Sequence, residues 1–153
     1  PDKNLRNYAL KFNGLISFFA DCYTDCDRVK ATDMRDSRQI DPLSRLKTLS
    51  KGNQEKVQLI LTMSRKAQLY VLDEPIAGVD PAARDYILGT ILSNYSEDAS
   101  VLLSTHLIAD VERVLDEVIF LKEGAMVLHD TVDHIREEHG KSVDALFREV
   151  FAC

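Results

Sequence analysis

Apolar side chains recur along this chain at two different periods, and the change from one to the other divides it. Leu5, Tyr8, Ala9 and Phe12, followed by Leu15, Ile16, Phe18 and Phe19, are spaced by three and four residues, which predicts a helical start. A second, more polar helix is predicted from about Asp27 to Arg38, ending before Ile40-Asp41-Pro42, where proline and its restricted predecessor oppose a continuous helix. A third starts near Gly52 and carries Val57, Ile60, Leu61 and Ser64 along one face.

From Leu69 the runs become short. Leu69-Tyr70-Val71-Leu72 and Val101-Leu102-Leu103 are too brief for helices and suit strands buried on both faces. The helix between them opens with Asp80 as N-cap and Pro81 at the first helical position, and turns Ile87, Leu88, Ile91 and Leu92 inward. Strand, helix, strand predicts a parallel crossover. A helix over Ile108–Leu115 leads to Val118–Leu121 and Met126–Leu128, joined through Gly124 as a hairpin. Two short helices, Thr131–Glu138 and Ser142–Phe151, close the chain, the second facing Val143, Leu146, Phe147 and Val150 inward. The expected fold class is α/β, with a helical subdomain over residues 1–66, parallel core strands over 67–130 and terminal helices over 131–153.

Composition narrows the function. At 153 residues and 45% hydrophobic content the chain can bury a core. A formal charge of -6 argues against a broad nucleic-acid footprint, so no nucleic-acid partner is expected. Cys22, Cys26 and Cys153 lack metal-ligand spacing and are odd in number, which fits a reducing, cytosolic setting. No apolar run approaches the roughly 18 residues that span a bilayer. The first residue is Pro1, which fits a trimmed or partial chain.

In a parallel sheet, ligands gather at the carboxyl ends of the strands. Asp73-Glu74 follows the first strand, and Thr105-His106 follows Ser104 at the end of the second, so two carboxylates and an imidazole should line one rim. An aspartate ending an apolar strand can organise a metal ion, and a glutamate beside it can take a proton from an attacking water. Alone, this pair fits a solvated strand end equally well. Ahead of it, Leu49-Ser50-Lys51-Gly52-Asn53 places a hydroxyl and a glycine at a helix entrance, whose free N–H groups attract phosphate.

Together with Ala77-Gly78-Val79-Asp80-Pro81 and Ser104-Thr105-His106, these motifs resemble, in order, the signature, Walker B, D-loop and switch histidine of ATP-binding-cassette (ABC) ATPases. The resemblance covers Leu49 to Leu128 strongly. It implies a partial P-loop NTPase (ABC ATPase) fold whose helical subdomain carries the signature motif, with ATP and Mg²⁺ as cofactors. By the same resemblance Asp73 organises Mg²⁺, Glu74 is the base and His106 contacts the γ-phosphate. Ser50, Lys51, Gly52 and Asn53 touch the γ-phosphate held by a second subunit, and Asp80 couples the two sites. Lys51 and Asn53 replace the commoner glycine and glutamine of the signature, a change expected to tune the site.

The resemblance further implies a second ATPase subunit and an integral membrane permease as partners, at the inner, cytoplasmic face of the membrane. Leu146-Phe147-Arg148-Glu149-Val150-Phe151 resembles exporter endings, which points to export. A soluble relative acting on DNA or ribosomes, and a non-catalytic interaction fragment, are the alternatives.

One motif is missing. Gly140-Lys141-Ser142 matches only the end of the phosphate-binding loop pattern, because Ile135 stands where its first glycine belongs. It is read as a helix boundary with Ser142 as cap. The N-terminal part of the domain, with that loop, is expected to be missing, and the chain alone to be inactive. His129, His134 and His139, spaced by five, do not repeat one helical face, and no metal cluster is expected of them. Cys22 and Cys26 are expected within helices. The aromatics Phe12, Phe18, Phe19 and Tyr23 are expected to be core packing.

Overall fold

The computed structural model describes residues 11–37, 40–96 and 98–152. Leu5, Tyr8 and Ala9, Arg38 and Cys153 lie outside them, as does the side chain of Lys51. The chain forms two compact units, one ending at Ser104 and the other beginning at Thr105.

The first unit opens with α1 (Phe12–Cys22), whose Phe12, Leu15, Ile16 and Phe19 are buried. Phe18 and Tyr23 depart from the predicted core: both are more than a third exposed. Tyr23 instead packs its ring on Phe19 and lies under the Arg65 guanidinium, 4.1 Å from the ring centroid, so it works as a half-wet shelf for a cation. Cys22 ends α1, but Cys26 lies between helices, pairing as an isolated bridge with Arg65. Asp27, at the predicted start, caps α2 (Arg28–Asp36) by accepting from the Lys30 amide at 3.0 Å.

Next, α3 (Lys51–Met63) buries Val57, Ile60, Leu61 and, just past its end, Ser64, the face read from the sequence. It contacts α1, α2 and the later α4. That sheet pairs β1 (Leu69–Asp73) with β2 (Ser100–Ser104) in parallel, with Asp73 opposite Ser104. The crossover is α4 (Pro81–Asn94), begun by the Asp80 cap and Pro81.

Two burial expectations fail here. Leu92 is 44% exposed, whereas Thr90 is fully buried. At ~100° per residue, positions 87, 88, 90 and 91 share one stripe and position 92 turns past its edge. The strands are also covered on one face only. Tyr70 and Leu72 are buried, while Leu69, Val71 and Leu102 are each more than half exposed, and among the described residues the sheet has two strands.

The second unit begins with α5 (Ile108–Val111), which continues as a 3₁₀ turn over Glu112–Val114 in place of the longer predicted helix. The antiparallel hairpin β3 (Glu117–Lys122) and β4 (Ala125–Thr131) turns at Glu123-Gly124, both at positive φ, the sign a tight hairpin turn requires. Two helices follow, α6 (Val132–His139) and α7 (Val143–Val150). Their Val132, Ile135, Val143 and Leu146 close a core with Ile108, Val118 and Phe120, while Phe147 and Val150 pack at its margin. Gly140 ends α6 in the left-handed conformation and the Ser142 hydroxyl caps α7, so Gly140-Lys141-Ser142 is the helix junction read from the sequence. No helix among the described residues is long and apolar enough to cross a membrane.

Candidate functional site

The carboxyl end of the β1–β2 pair holds a specific polar geometry. Parallel register sets Asp73 beside Ser104, and the Ser104 hydroxyl donates to Asp73 Oδ1 at 2.5 Å. One residue on, the Glu74 amide donates both to the Ser104 carbonyl at 3.0 Å and to its Oγ at 3.1 Å. Glu74 has φ 46°, a left-handed backbone costing on the order of 1–3 kcal/mol for a residue with a Cβ. It is held there by those amide bonds, by the Ala77 amide donating to its carbonyl, and by Ile76, which is fully buried. The strand therefore ends in an abrupt change of direction: Asp73 continues the exposed face of β1, and Glu74 leaves it on a strained turn.

The second element is the entrance of α3. Ser50 is the N-cap, and its Oγ accepts from the Asn53 amide at 3.3 Å. Ser50 is exposed, and a Cβ added at Gly52 would meet nothing within 4 Å, so packing within the chain does not require glycine there. The loop before this entrance is fixed by Gln54, whose side-chain amide donates to the carbonyls of Leu46 and Leu49, each at 3.1 Å. Sequence reasoning passed over Gln54 and gave Ser104, named as the end of the second strand, no role of its own. A glutamine on the first turn of a helix that follows a polar loop is the signal that could have pointed to the first.

Asp80 is exposed and its carboxylate accepts from the Ala83 amide at 3.0 Å, capping α4, while Gly78 turns the preceding loop at φ 70°. Ser50, Gly52, Asn53, Asp73, Glu74 and Asp80 thus all belong to the first unit. His106 belongs to the second, exposed and two residues beyond Ser104, where the Thr105 hydroxyl accepts from the Leu107 amide at 3.0 Å.

Away from these motifs, His134 of α6 lies between two carboxylates, Asp130 at the end of β4 and Glu138 on α6. Its Nδ1 is 2.6 Å from Asp130 and its Nε2 3.5 Å from Glu138. The Asp130 hydrogen bond raises the His134 pKa, and the same bond lowers that of Asp130. Both ring nitrogens face carboxylate oxygens. His129 pairs separately with Glu117 at 2.8 Å.

A phosphate-bearing ligand with a hard divalent cation suits what is present. The Asp73 carboxylate, held by the Ser104 hydroxyl at the strand end, is an oxygen donor of the kind Mg²⁺ takes, and the open space at Gly52 lets a phosphate approach the helix amides.

Comparison with known proteins agrees with this geometry. The sequence profile of the family described as "AAA domain, putative AbiEii toxin, Type IV TA system" matches residues 30–109, more than half of the chain. An uncharacterised ABC transporter ATP-binding protein of Methanocaldococcus jannaschii is 36% identical over 92 residues, covering 60% of this chain and 35% of that protein. The ABC-type transporter ATP-binding protein EcsA of Bacillus subtilis is 36% identical over 97 residues, covering 63% and 39%. The chain thus spans well under half the length of these curated relatives. A solved ATP-binding subunit of an ABC transporter superposes with a TM-score of 0.80 at 27% identity, over 94% of this chain and 63% of that one. With the signature, Walker B, D-loop and switch motifs in order on a mixed α/β fold that matches such a subunit, the chain belongs to the family of ABC transporter ATP-binding proteins.

Proposed function

We propose that these residues are part of an ATPase that works as a dimer and drives export through a separate membrane permease, at the cytoplasmic face of the membrane. The observation that carries this reading is the strand end at which Ser104 holds Asp73 while Glu74 departs on a left-handed turn. Two adjacent carboxylates are thereby given different directions and can take different roles.

In this reading Asp73 holds Mg²⁺, which when bound neutralises charge on the β- and γ-phosphates. Glu74 orients the attacking water and accepts its proton, a contribution of about 10²–10⁴ in rate. His106 donates to a γ-phosphate oxygen. The α3 entrance, Ser50, Lys51, Gly52 and Asn53, meets the γ-phosphate held by the other subunit, and Asp80 lies between the two sites. The 153 residues contain no complete phosphate-binding loop, so as an isolated polypeptide they are expected not to turn over ATP. Export rests on the resemblance of Leu146–Phe151 to exporter endings.

The test is to join a segment bearing a phosphate-binding loop ahead of Pro1 and measure ATP hydrolysis for the native sequence and for Glu74→Gln. The native fusion should hydrolyse ATP, and Glu74→Gln should lose about 10²-fold or more. Equal turnover in the two would remove Glu74 from the role of base.

A further inference from the structure

We infer that Ser104 is a positioning residue, a hydroxyl clasp that sets the metal carboxylate and the base relative to each other. The inference rests on the reading of Asp73 and Glu74 given above and adds a group that reading leaves out.

Ser104 stands opposite Asp73 in the parallel register, which puts the two side chains on the same face of the sheet. Its hydroxyl has a single proton, and the surroundings decide where that proton goes. The Asp73 carboxylate can only accept and the Glu74 amide can only donate, so Oγ donates to Asp73 Oδ1 at 2.5 Å and accepts from Glu74 N–H at 3.1 Å. One hydroxyl therefore fixes both the rotation of the Asp73 carboxylate and the entry of Glu74 into its left-handed turn. Without it, the Asp73 carboxylate is free to rotate about its terminal bond. The Glu74 amide then loses its bond to Oγ and keeps the one to the Ser104 carbonyl. Ser104 is itself exposed, so exchanging its side chain leaves the buried core unchanged.

The test uses the loop-bearing fusion, with Mn²⁺ as the probe and its affinity read by electron paramagnetic resonance in the presence of ATP. Ser104→Ala is expected to weaken Mn²⁺ binding and lower kcat by about 10- to 100-fold, with KM for ATP within about twofold, as when a residue that orients a metal ligand is removed. Ser104→Thr, which keeps the hydroxyl, should stay within about threefold of the parent in both. Parental Mn²⁺ affinity and kcat in Ser104→Ala would overturn the inference, as would a Ser104→Thr protein that falls as far as Ser104→Ala. Should Ser104→Ala fail to fold, Ser104→Cys takes its place: the weaker thiol donor should reduce both quantities, and undiminished values would overturn the inference. Glu74→Gln run alongside separates the two claims. Full turnover in Glu74→Gln removes the underlying reading of the base, whereas an inactive Glu74→Gln beside an unimpaired Ser104→Ala removes only the role of Ser104.

Discussion

His134 is a residue whose charge state the structure ties to its surroundings. The hydrogen bond to Asp130 raises its pKa above the ordinary value near 6.5, with Glu138 and Glu137 adding in the same direction. A raised histidine stabilises the fold fully below its unfolded pKa, and this contribution is lost as pH rises through the folded value. Asp130, lowered by the same bond, contributes above the usual carboxylate range and loses its effect as pH falls. The thermal midpoint should therefore decline as pH is raised from about 6 to about 8, and His134→Gln should flatten that slope. An unchanged slope in His134→Gln would show that the pair contributes nothing. His134 is exposed and Asp130 half-buried, so the effect should shrink with added salt. At this scale the sequence was partly legible. Asp73, Glu74 and His106 could be placed because they follow apolar runs, and strand ends are where polar groups collect. Ser104 could not, because its work depends on which residue of β1 lies opposite it, and register is invisible in a single apolar run. The Asp130–His134–Glu138 row was missed for a related reason. It mixes residue types at helical spacing across the β4–α6 junction, whereas the histidines alone are spaced by five.

Among the elements, α4 places the sharpest demand on one residue, since Asp80 is both its N-cap and the acidic residue of the D-loop motif. The two roles separate by substitution. Asp80→Ala loses the cap and should destabilise the protein by about 1 kcal/mol in chemical denaturation, whereas Asp80→Asn keeps a good cap and should be nearly neutral. If the carboxylate also acts between the two sites, Asp80→Asn in the loop-bearing fusion should lose about tenfold in ATP turnover while retaining its stability. Undiminished turnover in Asp80→Asn would confine this residue to capping. Element types were largely legible, because caps and breakers mark them: Asp27, Ser50, Asp80, Thr131 and Ser142 each begin a helix, and Gly124 and Gly140 each sit at a turn. Misreadings fell where periodicity is ambiguous. Leu92 stands just beyond the buried stripe of α4, Phe18 lies on the outer side of α1, and Cys26 falls in the short link before α2.

At the scale of the whole molecule, the apolar run Leu69–Leu72 reads as a strand enclosed on both sides, yet the face of Leu69, Val71 and Leu102 is open. Parallel strands are characteristically covered on both faces. The pattern therefore describes a cover that the described residues do not supply, and periodicity gives no indication of where it comes from. The motifs raise the same question on a larger scale, because the Ser50–Asn53 entrance and the Asp73–Glu74 strand end are read as belonging to different nucleotide sites within one dimer. That reading is the central claim, and mixing two inactive forms tests it directly. In the loop-bearing fusion, Ser50→Arg disables the helix entrance and Glu74→Gln the base, so each alone should be nearly inactive. A mixed dimer pairs an intact base on one subunit with an intact entrance on the other. An equimolar mixture, allowed to exchange subunits, should recover about a quarter of the parental ATPase rate, given random pairing and one restored site in each mixed dimer. Activity no greater than the average of the two separate forms, with subunit exchange demonstrated, would contradict the composite pocket.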